Sequence, residues 1–188
     1  MRWREQSAEA RLTRRQARLG AGLATAIAVL LVLWLLIDDN DPAEPEPVTG
    51  GARIVGADEL RRMAAAGKDP VYWAGPPAGS QLELSRPEAT RTYVRYLVGD
   101  AEAGDRRPFL TVGSYRIGDA AAVLRRQGAR PGGVLATAPR GGTVYFERKS
   151  PQSVYLAYPG ENVEIEVYAP SFQQALGLVT SGRIVPVE

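Results

Sequence analysis

Residues 20–37 read GAGLATAIAVLLVLWLLI, eighteen positions without a charge. This run divides the chain more sharply than anything else in it. Arg2, Arg4, Arg11, Arg14, Arg15 and Arg18 precede it, and Asp38, Asp39 and Asp41 follow. Eighteen helical residues would rise roughly 27 Å, the thickness of a thin bilayer core. An arginine-rich flank stays on the cytoplasmic side. The sequence therefore predicts a basic cytoplasmic tail at 1–19, an uncleaved transmembrane signal-anchor helix at 20–37, and an extracytoplasmic remainder. A cleaved signal would have a shorter apolar core followed by small-x-small, and LLIDDND contains neither. Arg14, Arg15 and Arg18 set the topology, and Trp34 suits an interfacial aromatic. Gly20, Ala24 and Ala28 recur at i, i+4, i+8. That stripe is either the contact face of a homodimer or the ordinary small-residue content of a span.

After the run, Asp38 to Gly51 carries five acids, no base, and prolines at 42, 45 and 47. Such a segment is an extended, solvated spacer. The linker is placed at 38–52 and a single domain at 53–188, long enough to bury its own core. This last region holds 17 bases and 14 acids, so the pI near 9.0 owes much to the N-terminal arginines. It is no nucleic-acid footprint. The chain has no Cys and no His. Disulfides, a lipid-modified cysteine, the usual zinc sites and Cys–His or Ser–His–Asp nucleophiles are all excluded. No phosphate loop, dinucleotide glycine motif or calcium loop occurs, and no cofactor or metal is expected.

Within 53–188, helices are predicted at Ala57–Ala66, Gly118–Gln127 and Ser171–Thr180. Gly67, Gly128 and Gly182 are their stop signals. Strands are predicted at Val71–Trp73, Gln81–Ser85, Thr92–Val98, Phe109–Val112, Val134–Thr137, Thr143–Arg148, Ser153–Ala157 and Val163–Tyr168, with an edge strand at Ile184–Val187. Val163, Ile165 and Val167 alternate with Glu164 and Glu166, so the two glutamates are expected on a solvated outer face. Leu60-Arg61-Arg62 followed by VYWAGPPAGS matches Leu124-Arg125-Arg126 followed by VLATAPRGGT, about 64 positions on. Either a helix-plus-meander unit is duplicated, or arginine-rich helices and Pro–Gly turns coincide. The expected class is α+β: an N-terminal transmembrane helix, then an antiparallel sheet with helices on one face.

The segments VYWAGPP, TYVRYL, PFLTVGSY, SVYLAYPG and EVYAPS make the chain resemble a group of single-pass, membrane-anchored proteins of GC-rich actinobacteria. No activity is assigned to that group, so the resemblance implies a topology and a single outer domain but no site.

The chemistry left to the chain lies in carboxylates and tyrosines. Glu164 and Glu166, two positions apart on one strand, have roughly the spacing of a glycosidase acid pair. Tyrosine is the most abundant aromatic, with eight residues. Tyr and Trp combine an apolar body with a polar tip, which suits a binding face or a carbohydrate platform. Tyr72, Trp73, Tyr93, Arg95, Tyr96 and Tyr155 are the candidate binding residues. The functional expectation is a membrane-tethered, non-catalytic interaction module of a bacterial cell envelope. Its partners would be the bilayer together with an envelope protein or a cell-wall glycan. The alternatives are a carboxylate-based hydrolase of envelope polysaccharide and a structural subunit of a membrane complex.

Overall fold

The computed structural model describes residues 51–67, 69–149 and 151–188. Ten strands and three α-helices occupy this stretch. The strands are β1 (Arg53–Val55), β2 (Tyr72–Trp73), β3 (Gln81–Glu88), β4 (Arg91–Leu97), β5 (Leu110–Arg116), β6 (Gly133–Ala138), β7 (Gly142–Glu147), β8 (Ser153–Ala157), β9 (Val163–Tyr168) and β10 (Val185–Pro186). The helices are α1 (Ala57–Ala66), α2 (Ala120–Gly128) and α3 (Phe172–Thr180). Eight strands form one sheet in the order β1-β3-β4-β5-β9-β8-β7-β6, every pair antiparallel. β2 and β10 make a separate two-stranded sheet. Pairing of β3 with β4 is interrupted between Ser85 and Glu88, where Pro87 has no N–H to donate.

Alternation along each strand gives the large sheet two unlike faces. On the first, Leu82 and Leu84 of β3, Val94 of β4, Val112 of β5, Ile165 and Val167 of β9, and Val154 and Leu156 of β8 form one buried cluster. Leu60 of α1 and Ala175, Leu178 and Val179 of α3 complete it. Tyr72 of β2 joins the same core, and its N–H donates to Ser114 Oγ at 3.0 Å. The second face carries Glu83, Arg95, Thr111, Glu164, Glu166 and Ser153, all buried although polar. Two covers account for this. Ala120, Ala121 and Leu124 of α2 pack on Ala157, Tyr145 and Tyr155. The 98–109 loop folds over the β3–β4 end through Ala101 and Phe109, which enclose Leu97.

Three expectations are corrected here. The helices do not share one face: α1 and α3 lie on the apolar face, α2 on the polar one. Small residues allow that docking. A Cβ on Gly133 would sit 2.9 Å from the Gly128 backbone, so α2 and β6 approach too closely for larger side chains. Second, the sequence repeat is not one unit used twice. The helices it equates, α1 and α2, cover opposite faces, and β2 leaves the large sheet while its counterpart β6 is an edge strand of it. Third, an N-terminal transmembrane helix is not supported. No helix among the described residues is long and apolar enough to cross a membrane, the longest having ten residues. Residues 20–37 lie outside the described residues, as do Arg14, Arg15, Arg18, Trp34 and the Gly20/Ala24/Ala28 stripe.

Candidate binding face

Strand pairing on the polar face lines up one residue per strand. Ser85 of β3 stands opposite Tyr93 of β4, Tyr93 opposite Gly113 of β5, and Gly113 opposite Glu166 of β9. The row continues through Tyr155 of β8 and Tyr145 of β7 to Leu135 of β6. With neighbouring strands about 4.8 Å apart, Tyr93 and Tyr145 are separated by roughly 19 Å across four strand steps. Gly113 lets a further ring into the row. A Cβ there would lie 2.8 Å from the Tyr115 hydroxyl oxygen, so the Tyr115 ring leans back over the glycine. Its hydroxyl donates to Glu166 Oε2. Tyr155 donates to the other oxygen of the same carboxylate at 3.4 Å, and Tyr145 donates to Glu147 Oε1 at 3.1 Å.

The rings also contact one another. Tyr93 and Tyr115 meet edge to face at 5.7 Å between centroids, and Tyr145 and Tyr155 lie tilted at 5.8 Å. Both geometries are favourable for aromatic pairs. All four rings are partly exposed, although α2 packs against one side of Tyr145 and Tyr155. Burial raises Tyr115 and Tyr155, reinforced by the charge of Glu166. Burial likewise raises Tyr145 to about 12, with help from its bond to Glu147. These hydroxyls therefore remain neutral donors and acceptors at physiological pH.

Glu164 and Glu166 are not on a solvated face; only 8% and 9% of their surface is exposed. β9 is a central strand, flanked by β5 and β8, and rings from both neighbours close over it. Glu166 is held by two tyrosines. Glu164 Oε2 has no hydrogen-bond partner. Burial first, and the neighbouring Glu166 second, raise Glu164 to about 7. Ser85 Oγ, at the β3 end of the row, is also buried without a partner. Among the described residues no group of three or more acidic side chains converges as a metal site would require.

The six candidate binding residues do not form one exposed patch. Tyr93 and Tyr155 belong to the row. Arg95 shares their face but is buried under the 98–109 loop, paired with Glu83 at 2.7 Å and donating to the carbonyls of Asp105 and Arg107 at 2.6 and 3.2 Å. Tyr96 lies on the apolar face, its hydroxyl accepting from Ala74 N–H and donating to the Gly75 carbonyl, each at 2.8 Å. Tyr72 and Trp73 are buried in β2. Tyr72 donates to Glu161 Oε2 at 2.5 Å, and Arg61 stacks over Trp73 at 5.2 Å. Tyr115, Tyr145 and Glu166 are missing from those six, Glu166 having been singled out only as half of an acid pair. Their shared strand parity with Tyr93 and Tyr155 is visible only once the pairing partners are known. Comparison with protein-family models, with curated proteins and with solved structures finds no match for this chain.

Proposed function

We propose that residues 51–188 form a non-catalytic binding module whose ligand is a polyhydroxylated chain of the cell-wall glycan type. The row Tyr93, Glu166, Tyr155, Tyr145, in register across the sheet and joined by the Tyr115 ring leaning over Gly113, carries this reading. The exposed parts of these rings, in line, offer apolar surface to the C–H faces of successive sugars. The tyrosine hydroxyls offer hydrogen bonds to sugar hydroxyls, and the buried Glu166 carboxylate beneath them holds Tyr115 and Tyr155 in place. A ligand lying across the strands would meet five of them. The extracytoplasmic setting proposed for the module rests on the charge asymmetry of residues 1–52.

The test is co-sedimentation of the full-length protein with insoluble cell-wall glycan, comparing wild type with Tyr93→Ala, Tyr145→Ala and the double variant. Each ring contributes on the order of 1 kcal/mol, so each single variant should bind about fivefold more weakly and the double about 25-fold. Wild-type binding by a folded double variant would rule the row out.

A second reading, the carboxylate-based hydrolase, has one observation in its favour. Glu164, raised to about 7 beside a second carboxylate, has the protonation range of a general acid. Reducing ends released by the wild type and not by Glu164→Gln would establish it. Binding without release would leave the module non-catalytic.

A further inference from the structure

A chemically different concavity lies on the apolar face of the sheet, at the end where β4 finishes and β5 begins. It encloses about 390 Å3 between the turn after β2, these strand ends and α3. That volume falls in the range of small-molecule sites, which are mostly apolar with a few convergent polar groups. Pro76, Pro108, Leu110 and Leu178 supply apolar wall, and Val98 at the margin is 54% exposed. Tyr96 contributes its ring, because its hydroxyl is already committed to Ala74 and Gly75.

Arg183 is the one charged side chain in this lining, which holds no Asp or Glu. It is exposed, and among the described residues it forms no salt bridge with a carboxylate. Its charge is near enough to offset slightly the rise that burial imposes on the Tyr96 hydroxyl. A guanidinium is a planar fork suited to a carboxylate, and a single fork matches a single negative charge. A polyanion would call for several cations.

We propose that this cleft binds an apolar monocarboxylate, the carboxylate on Arg183 and the hydrocarbon body against Pro76, Leu110 and Leu178. The ligand differs in chemistry from the one proposed for the tyrosine row, and the two sites lie on opposite faces of the sheet. Either can therefore fail alone.

Equilibrium dialysis of the full-length protein against labelled decanoate tests it, with decanol as the uncharged competitor. Saturable decanoate binding is expected, weakened at least tenfold in Arg183→Gln and partly retained in Arg183→Lys. Decanol should displace decanoate poorly from wild type. Arg183 is exposed, so the thermal midpoint of Arg183→Gln should match wild type. Tyr93→Ala/Tyr145→Ala should bind decanoate as wild type does. Three results would each overturn the proposal: no saturable binding, equal binding by Arg183→Gln, or displacement by decanol as effective as by decanoate.

Discussion

Arg95 shows how residue type and residue role can diverge. Flanked by Tyr93 and Tyr96, it has the composition of a binding hot spot, yet its guanidinium neutralises a fully buried Glu83. Glu83 Oε2 also accepts from Gly104 N–H at 2.5 Å, so the pair fastens the 98–109 loop to the sheet. Arg95→Ala would leave Glu83 in the interior without its ion-pair partner. A loss of about 3–5 kcal/mol in urea unfolding is expected, an effect on stability rather than on ligand binding. A loss under 1 kcal/mol would refute the role. Glu164 gives a second prediction. Its folded-state value, about 7, lies above its ordinary 4.5, so the folded protein holds this proton more tightly than the unfolded chain. The resulting stability is complete below pH 4.5 and is lost as pH rises through 7, up to about 3 kcal/mol. Glu164→Gln, which is neutral throughout, should flatten the unfolding free energy over that window; an unchanged slope would place the titration elsewhere. The alternation in VEIEVY identified the strand and the shared face of both glutamates. It carried no information about the rings that would close over them, because Tyr115 and Tyr155 come from other strands.

At the scale of elements, most of the architecture was legible. Helix α1 and strands β8 and β9 occupy the residues their periodicity and glycine stops predict. β1 was not legible, since three residues are too few to show alternation, and it is a strand only by pairing with β3. Nor was the side of the sheet taken by α2. Its apolar stripe says that the helix must be covered, while the face it covers depends on how 117–119 and 129–132 route the chain. The close contact with β6 makes this docking testable. In Gly133→Ala the new methyl would stand 2.8 Å from the Gln127 carbonyl and 2.9 Å from Gly128, backbone atoms that cannot rotate away. A destabilisation of about 1–3 kcal/mol is expected, with faster amide exchange concentrated in α2. Unaltered exchange in α2 would mean that the helix is held by other contacts.

Across the whole molecule, the two meanders β3–β4–β5 and β7–β8–β9 meet through one central pairing, β5 with β9. Their apolar sides belong to one buried cluster that includes Val94 and Val112 from the first and Val144 and Ile165 from the second. Neither meander can retain that core without the other. Unfolding of the described domain should therefore be a single transition, with near- and far-ultraviolet circular dichroism coinciding; two separated midpoints would show independent halves. The same assembly has a consequence for recognition. The lateral spacing of Tyr93, Tyr155 and Tyr145 is set by hydrogen-bonded pairing of the backbone, not by rotamer choice or loop closure. Distances between its contacts thus come in whole strand widths of about 4.8 Å. The sheet acts as a ruler: polymers of similar chemistry would be sorted by repeat length, and one residue inserted into β4, β7 or β8 would turn that strand's tyrosine to the opposite face and erase a graduation.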